Sequence, residues 1–436
     1  MPDMPRECDV LVVGAGPAGI AAACRAAQSG AKVVVLDQSP WVGGQIWRGA
    51  EGHPPTGPAG AWLARFARSG AQMVSGASVF ASPAPGRLRA ERGDELIEIT
   101  GRKLVLATGA RELFLPFPGW TLPGVIGPGG LHAMAKAGWP VAGKRVVVAG
   151  SGPLLLAVAD SLRQLGARIA CVAEQASLAR VARFALGLWR HPGKISQAAA
   201  VRARLLGVPY RCGCWPVRAE GDTRVRSVTL SDGRRTWTEA CDYLACGFHL
   251  VPNVELAALL GCEIRDGAVV VDTWQETTTA GVYCAGEPTG VGGAEAALVE
   301  GEIAGLAAAG RMEAARELLP HRARWHRFRA MMSETFALRD ELHALPDPDT
   351  VVCRCEDVRH GALDAFGGWR AAKLQTRCGM GACQGRTCGA AVRFLRGWEA
   401  VSTRPPVFPA SVGALAGAPM SADHDHDSTR PNQTNR

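Results

Sequence analysis

Cysteines concentrate near the carboxyl-terminal end of this 436-residue sequence, at a spacing that could bind a metal. Cys353 and Cys355 form a Cys-X-Cys pair. After 27 intervening residues, Cys383 and Cys388 form a Cys-X4-Cys pair. Four thiolates can surround one metal centre, and soft sulfur ligands select zinc or an iron–sulfur cluster. Neighbouring glycines and arginines supply backbone N–H groups and positive charge, which favours a cluster and leaves structural zinc as the alternative.

One further cysteine lies close to these pairs. Cys378 precedes Cys383 by five positions, so it could replace Cys383 or Cys388 as a ligand. The other nine of the 14 cysteines are scattered along the chain and do not resemble a disulfide framework. This use of cysteine indicates a reducing compartment and a metal site.

A glycine-rich loop near the amino terminus is the second feature that could do chemistry. Gly14, Gly16 and Gly19 follow an apolar run and precede an alanine-rich stretch, which predicts a strand, a phosphate-binding turn and a helix. The first glycine permits the tight turn, the second lets a pyrophosphate approach the backbone, and the third lets the helix pack closely. Asp37 ends the next predicted strand, where its carboxylate could accept hydrogen bonds from a ribose.

A second unit of the same kind begins at Arg145. Gly150 and Gly152 follow an apolar strand, and Glu174 ends the next strand. Leu155 stands where a third glycine is expected, so this loop either binds a nucleotide or is only structural. Because Glu174 would repel a 2′-phosphate, NAD(H) or another adenosine ligand is favoured over NADP(H).

Two short motifs between and after these units complete the pattern: Thr108 and Gly109 follow a buried strand, and Gly286 and Glu287 follow another. Residues 8 to about 325 resemble flavoproteins with two dinucleotide-binding domains, of the glutathione-reductase and ferredoxin-reductase kind. The resemblance implies an α/β fold with two Rossmann-like domains. The FAD-binding domain would comprise residues 1–115 and 245–325, with an NAD-like domain inserted at 116–244.

The same resemblance implies the cofactor contacts. For FAD these are Gly14, Gly16, Pro17, Ala18, Gly19, Asp37, Gly44, Gln45, Thr108, Gly109, Gly286 and Glu287. For a second nucleotide, NAD(H) or another adenine nucleotide, they are Gly150, Gly152 and Glu174. The family usually has aspartate at position 287, and no cysteine pair lies beside the expected flavin, so disulfide reduction is not expected.

The carboxyl-terminal cysteine region resembles a different family. Residues 351–395 are similar to the bacterioferritin-associated-ferredoxin-like module, which is small and helical and binds a 2Fe-2S cluster. That resemblance implies Cys353, Cys355, Cys383 and Cys388 as the ligands. We expect residues 326–350 to be a linker, 396–420 an arm, and 421–436 a disordered tail.

A flavin domain followed by this module resembles the alpha subunit of heteromeric dehydrogenases that oxidise D-hydroxyproline, proline or opines. The resemblance implies a beta subunit of the D-amino-acid-oxidase type that binds substrate, a small ferredoxin-like gamma subunit in many complexes, and a quinone or other electron acceptor. Three alternatives remain: an NADH-dependent ferredoxin-type reductase, a hydrogen cyanide synthase subunit that oxidises glycine, and a non-enzymatic scaffold. The catalytic residues stay unassigned, because nothing in this chain resembles a substrate base.

Length, composition and charge limit the remaining classes. A chain of 436 residues exceeds one ordinary core, and 47% hydrophobic residues exclude general disorder. The net charge of +8 is spread along the chain, which argues against nucleic-acid binding. Without a long apolar stretch or a basic leader, we expect a cytoplasmic protein that partners could hold at the inner membrane.

Overall fold

A computed structural model describes residues 6–47, 56–399 and 403–416. As far as residue 136, the elements are β1 (Glu7–Val13), α1 (Pro17–Gln28), β2 (Val33–Asp37), α2 (Gly57–Ala67), β3 (Gln72–Ser75), β4 (Ser78–Ala84), β5 (Arg87–Arg92), β6 (Glu95–Leu106), β7 (Ala110–Glu112), β8 (Val125–Ile126) and α3 (Pro128–Lys136). The next elements are β9 (Arg145–Gly150), α4 (Leu154–Gln164), β10 (Arg168–Glu174), α5 (Leu178–Gly187), α6 (Pro192–Arg204), β11 (Tyr210–Cys212), β12 (Trp215–Glu220), β13 (Ser227–Ser231), β14 (Thr236–Ala240), β15 (Tyr243–Gly247) and β16 (Leu250–Pro252). The remainder are α7 (Glu255–Leu259), β17 (Ile264–Arg265), β18 (Ala268–Val269), β19 (Val282–Cys284), α8 (Ala294–Ala308), α9 (Met312–Arg316), α10 (Leu319–Thr335), β20 (Val351–Cys353), β21 (Val358–Arg359), α11 (Trp369–Thr376), α12 (Cys388–Arg396) and α13 (Val412–Ala416).

The first sheet is built around the apolar run at the start of the chain. Its strands lie in the order β3-β2-β1-β6-β5-β4, and β19 also pairs with β6. β1 is parallel to both β2 and β6. Its residues Val10, Leu11 and Val12 are all fully buried, as expected for a parallel strand with both faces covered.

Helices α1 and α8 pack side by side over one face of this sheet. Their close approach requires glycine, because a Cβ at Gly301 or Gly305 would lie 2.2 Å from the carbonyl oxygen of Ala18 or Ala22 respectively. The helix that carries the first glycine loop is therefore held by a helix almost 300 residues later in the chain.

The second sheet has five parallel strands in the order β11-β10-β9-β15-β8. A three-stranded antiparallel sheet, β12-β13-β14, packs beside it and shares its core. The first sheet is mixed, since β4, β5 and β6 pair antiparallel, but both sheets have a parallel, helix-covered part, which confirms the predicted α/β class with two Rossmann-like units. The chain passes between them through an antiparallel ribbon of β7 and β16, next to the boundaries expected at 115/116 and 244/245.

The carboxyl-terminal region packs against both units. The expected linker, 326–350, starts inside α10, which runs to Thr335, and continues through a short 3-10 helix before β20. β20, β21, α11 and α12 then enclose a small core of their own around Trp369 and Val392. This helical module is compatible with the predicted third unit.

The arm that follows the module lies on the first sheet. The Val407 N–H donates to the Phe80 carbonyl at 2.9 Å, and the Ser411 N–H donates to the Glu91 carboxylate at 3.1 Å. The expected tail at 421–436 lies outside the described residues. None of the described helices has the length and apolar character needed to cross a bilayer.

Candidate cofactor sites

The first glycine loop has the geometry of a phosphate-binding turn. Gly14 has φ +107°, and a Cβ there would lie 2.2 Å from the Ala107 carbonyl oxygen. A Cβ at Gly19 would lie 1.8 Å from the Gly14 carbonyl oxygen. Both positions therefore require glycine, one for the turn and one for close packing of α1 on the loop.

Open space at Gly16 marks the position where a phosphate could approach. No atom lies within 4 Å of a Cβ built there, and Pro17 and Ala18 start α1 directly behind it. The loop after β2 borders this space, since a Cβ at Gly44 would lie 2.9 Å from the Gly16 Cα, and the Gln45 side chain beside it is exposed. The amino-terminal end of α1 thus offers N–H groups and a positive dipole end to an anionic ligand.

Asp37 lies at the end of β2 and is only partly buried. Its Oδ2 accepts a hydrogen bond from the Ala15 N–H at 2.5 Å, and its Oδ1 accepts one from the Ser39 N–H at 2.6 Å. These contacts fix the carboxylate beside the glycine loop. Each oxygen retains a lone pair that could accept from a ribose hydroxyl.

The third motif contains a buried acceptor without a donor. Glu287 Oε1 accepts from the Gly293 N–H at 2.9 Å, whereas Glu287 Oε2 is buried and has no hydrogen-bond partner. Burial raises the pKa of this carboxyl to about 7, although the Gly293 N–H acts in the opposite direction. A buried orphan acceptor fits a ligand that carries hydroxyl groups, such as the chain that joins isoalloxazine to phosphate in FAD.

A neighbouring glutamate that the motif analysis missed organises this region. Glu300 on α8 is 1% exposed, and its Oε2 accepts from the Gly286 N–H and the Thr289 hydroxyl, both at 2.9 Å. Its Oε1 faces His326 Nε2 at 2.9 Å and Arg329 Nη1 at 3.4 Å, both on α10. Glu300 is one of three glutamates in this alanine-rich helix, together with Glu295 and Glu302, so the sequence alone does not distinguish it.

The second motif connects the first sheet to the cysteine module. The Thr108 hydroxyl donates to the Asn253 carbonyl at 2.7 Å, and the Gly109 carbonyl accepts from the Asn253 N–H at 3.0 Å. Arg111 Nη1 donates to Asn253 Oδ1 at 2.7 Å, and Arg111 Nε donates to the Arg386 carbonyl at 3.1 Å. One arginine therefore ties the Thr108 loop to the segment between Cys383 and Cys388.

The four predicted metal ligands line one cavity. It has a volume of about 240 Å³, and its walls are Cys353, Cys355, Cys383, Cys388, Phe114, Trp120, Arg354 and Thr387. Trp120 comes from the second unit, and its indole N–H donates to the Val351 carbonyl at 2.6 Å. Cysteines up to 35 positions apart in sequence thus line one partly open cavity, and thiolates are suitable metal ligands.

The thiols around this cavity are close enough to interact. Cys355 and Cys383 lie in side-chain contact, as do Cys353 and Cys388. The sulfur of Cys378 lies within 4.8 Å of those of Cys353 and Cys388, but Cys378 does not line the cavity. The described residues thus present two overlapping sets of thiols: the four predicted ligands line the cavity, and Cys353, Cys378 and Cys388 lie within metal-binding reach of one another, with Cys378 in contact with Cys388.

Backbone N–H groups converge on these sulfurs. Burial raises the pKa of Cys383, but the N–H groups of Thr387, Gly385 and Arg386 and the Cys355 thiol lower it, and the net pKa lies below its ordinary value. Gly381 also lies against the site, since a Cβ there would lie 2.3 Å from the Cys355 Cβ. Donors directed at thiolates are the pattern that stabilises iron–sulfur clusters.

The second glycine loop is arranged differently from the first. Gly150 has φ +132° and packs on the Gly247 carbonyl, so it retains its turn role. Glu174 is completely buried; its Oε2 accepts from the Gly152 N–H at 2.7 Å and its Oε1 from the Ala176 N–H at 2.8 Å. Burial raises the pKa of Glu174 to about 7, with those N–H groups acting in the opposite direction.

The sequence of this chain matches a known family and several curated proteins. The pyridine nucleotide-disulphide oxidoreductase model matches residues 8–312. The hydrogen cyanide synthase subunit HcnB of Pseudomonas aeruginosa is 32% identical, with 87% of this chain and 90% of that protein covered. An opine oxidase subunit of Agrobacterium tumefaciens is 33% identical, with 93% and 88% covered.

Solved structures support the same fold. L-proline dehydrogenase from P. horikoshii superposes with a TM-score of 0.66 at 22% identity, with 95% of this chain and 81% of that chain covered. Thioredoxin reductase from T. acidophilum gives a TM-score of 0.53 at 21% identity over 70% of this chain and 98% of that chain. At these identities the likeness concerns the fold alone.

Proposed function

The chain belongs to the pyridine nucleotide-disulphide oxidoreductase family and is an FAD-dependent oxidoreductase, and on this basis we propose that it is the flavin- and iron–sulfur-bearing subunit of a heteromeric dehydrogenase. The substrate of the assembly would be an amino or imino acid of the D-hydroxyproline, proline or opine type. The cavity lined by four cysteines is the single observation that carries the proposal. A flavin accepts electrons in pairs and a 2Fe-2S centre carries them singly, so the two together would convert one mode into the other.

The first glycine loop supports FAD in the amino-terminal unit. Open space at Gly16, a fixed but partly exposed Asp37 and the orphan Glu287 Oε2 would receive the pyrophosphate, the ribose and a hydroxyl of the linking chain. Gly286 and Glu287 would be held for this by Glu300, which itself would not touch the ligand. All these residues lie around α1, so one helix orients the whole set.

The contacts of Arg111 support a fixed distance between the two centres. Arg111 donates directly to the Arg386 carbonyl, in the 383–388 segment, at 3.1 Å. It reaches the Thr108 loop through Asn253: Arg111 donates to Asn253 Oδ1 at 2.7 Å, and the Asn253 carbonyl accepts from the Thr108 hydroxyl at 2.7 Å. An ion pair between Arg111 and Glu255, at 2.9 Å, further restricts it. A rigid connection of this kind would keep the distance between flavin and cluster constant while subunits associate.

We assign the substrate pocket to a partner. The names of HcnB and of the opine oxidase protein identify them as subunits. A beta subunit of the D-amino-acid-oxidase type would bind the substrate, with a small ferredoxin-like gamma subunit and a quinone or another acceptor receiving the electrons.

Metal and flavin analysis of the purified chain tests this proposal. We expect FAD together with equal iron and acid-labile sulfide, and loss of both iron and sulfide in Cys383→Ser and Cys353→Ser. Cys212→Ser is the control, because Cys212 is a partly exposed thiol on β11 and does not line the cavity. Zinc without labile sulfide would overturn the proposal.

Glycine oxidation is a second candidate, favoured by the 32% identity to HcnB. The two candidates differ only in the substrate that the partner would present. Co-purification from the host and assay of the whole assembly against D-hydroxyproline, proline, opines and glycine would distinguish them. Turnover with glycine alone, accompanied by cyanide release, would select the second candidate.

A further inference from the structure

We infer that the second dinucleotide-binding site is closed by the chain's own residues 334–339, here called the strap, and that the protein consequently does not accept NAD(H) as an electron donor. The strap is the segment that leaves α10 and leads toward the cysteine module. It lies across the carboxyl ends of β9 and β10, where open α/β sheets bind ligands. The inference rests on that sheet and does not depend on the presence of an iron–sulfur cluster.

The glycine loop itself contacts the strap. The Ser151 hydroxyl, between Gly150 and Gly152, donates to the Phe336 carbonyl at 3.0 Å. Gln175 follows the acidic position, and its side-chain amide donates to Ser151 Oγ at 2.9 Å and to the Phe336 and Ala337 carbonyls at 3.3 Å. Ser151 and Gln175 are both buried, so these bonds lie inside the protein. The strap therefore already binds the Ser151 hydroxyl and the Gln175 side-chain N–H groups, whereas Gln175 Oε1 is buried without a hydrogen-bond partner.

Side chains flanking the site also bind the strap. Arg180 on α5 donates to the carbonyls of Glu334 and Ala337, and Arg183 pairs with the Glu334 carboxylate. Arginines on the helix after β10 could bind an adenosine phosphate, but here they face carbonyls and a carboxylate of the chain. The ion pair between Arg183 and Glu334 is exposed and contributes little stability. Its position shows that the strap passes beside α5.

Aromatic packing anchors both ends of the strap. Phe336 is 4% exposed, and its ring lies 5.3 Å from that of Phe184 on α5 in an edge-on arrangement. Arg339 lies over the Trp215 ring at 4.6 Å, and its Nη1 donates to the Gln175 carbonyl at 3.4 Å. Burial of a phenylalanine side chain contributes about 1.5 to 3 kcal/mol. A nucleotide would have to displace this packed segment and not merely water.

The two acidic positions show the difference within one chain. Asp37 at the first loop is partly exposed, and a Cβ at Gly16 meets only open space. Glu174 at the second loop is fully buried and accepts the Gly152 N–H, a donor that would otherwise face a pyrophosphate. A Cβ at Gly152, like one at Gly16, would meet no atom within 4 Å, so the two sites differ in the burial of the acidic residue and in the presence of the strap, and not in the space at the glycine.

A covalently attached competitor is effective because its local concentration is about millimolar or higher. Free NAD(H) must therefore compete with the strap for the site. By binding the strap, the second unit holds the end of α10 and the module that follows it in place. Electrons must then enter the flavin from a substrate oxidised in the assembly and not from a reduced nicotinamide.

Anaerobic titration of the full-length, flavin-loaded protein with NADH tests the inference. We expect no saturable binding and no flavin bleaching for the wild type. The double variant Phe336→Ala with Arg339→Ala should bind NADH saturably, with an affinity at least about 10-fold above the detection limit at which the wild type shows no binding. Arg316→Ala, an exposed change on α9, is the control and should behave as the wild type. Tight binding by the wild type, or no gain in the double variant, would contradict the inference.

Hydrogen–deuterium exchange of the wild type provides a readout that does not depend on a variant folding. Residues 334–339 and 150–152 should show the same protection with and without NADH. Faster exchange of the strap together with slower exchange of the glycine loop on NADH addition would show that the nucleotide displaces it, and the inference would be wrong. Metal and flavin contents are unaffected by either outcome, so a failure here is distinct from a failure of the proposed function.

Discussion

Glu300 is the residue on which the third flavin motif depends most. It is buried, and it accepts from Gly286, Thr289, His326 and Arg329. Glu300→Gln replaces one acceptor oxygen by an amide that cannot accept, which leaves a donor unpaired. We predict a loss of about 2 to 4 kcal/mol of stability.

Urea unfolding and FAD retention during gel filtration measure this effect. Glu313→Gln on α9 is the matched control, because its side chain is 84% exposed. Equal stability of Glu300→Gln and the wild type would show that the network does not hold the motif.

The buried carboxyl of Glu174 should make stability depend on pH. Its folded pKa of about 7 is above its ordinary 4.5, so its contribution is fully present below pH 4.5 and is lost as the pH rises through 7. The difference corresponds to about 3 kcal/mol. Glu174→Gln removes this titration, and its stability should therefore decline less than that of the wild type across this window.

Urea unfolding at a series of pH values compares the two profiles. The control is Asp222→Asn, since this carboxyl is 82% exposed and distant from the glycine loop. Parallel profiles for Glu174→Gln and the wild type would contradict the prediction.

Gly381 should be essential for the cysteine cavity. A Cβ there would lie 2.3 Å from the Cys355 Cβ, so Gly381→Ala must displace that thiol. We predict loss of most bound iron, measured by elemental analysis. Gly389→Ala is the control, because its nearest neighbour atoms lie 4.0 Å away. Full iron occupancy in Gly381→Ala would exclude Cys355 as a ligand.

At the residue scale, the sequence predicted positions that local rules determine. Glycine is required at position 14 by the turn and at position 19 by close packing of the helix. The cysteine pairs were recognisable from their spacing. Glu300 could not be predicted, because its partners on α10 lie 26 and 29 residues further along the chain in an element with a separate role. Nothing in local periodicity identifies such pairs.

At the element scale, the approach of α8 to α1 sets the position of the first glycine loop. Gly305→Val would place side-chain atoms against the Ala22 carbonyl, 2.2 Å from the Cβ position. We predict a loss of at least about 1 to 3 kcal/mol, from the strain of overpacking, and weaker FAD binding. Thermal unfolding and flavin release follow both effects.

A glycine in open space is the matched control for that change. Gly193 lies in α6 with no atom within 4 Å of its Cβ position, so Gly193→Ala should stabilise the chain by up to about 1 kcal/mol. If Gly305→Val were as stable as Gly193→Ala, close packing of the two helices would not be required.

Elements with a strong period were predictable, and connections were less so. The strand, loop and helix at the start of each unit follow from apolar runs and glycines. The charged residues and prolines at 326–350 predict a linker, and this segment contains the end of α10, which binds Glu300 on α8, and the strap, which binds Ser151. Ser151 and Phe336, for example, form a hydrogen bond although they are 185 positions apart in sequence, so only the folded chain reveals this contact.

At the scale of the whole molecule, the three units contact one another through side chains that are distant in sequence, including Leu342, Leu345 and Phe394, which pack with the core of the second unit. Arg111 joins the first unit to the cysteine module, Trp120 joins the second unit to it, and the strap joins α10 to the second sheet. The sequence predicted the classes of unit through family resemblance. It could not predict these junctions, because they depend on long-range contacts between side chains of ordinary type.

The same arrangement assigns different roles to the two nucleotide folds. The first retains an open loop and the orphan acceptor of Glu287, and beside the second the strap binds Ser151 and Gln175. In the proposed function, electrons would pass from a substrate bound by a partner, through the flavin, to the cysteine module. The account therefore requires that flavin and cluster exchange electrons within one chain.

Photoreduction of the flavin in the purified, anaerobic protein, followed by low-temperature EPR, tests that requirement most directly. The account predicts that flavin absorbance recovers as the EPR signal of a reduced two-iron cluster appears, and that Cys383→Ser abolishes the signal while the flavin still becomes reduced. A flavin that stays reduced beside an intact but EPR-silent oxidised cluster would contradict the account.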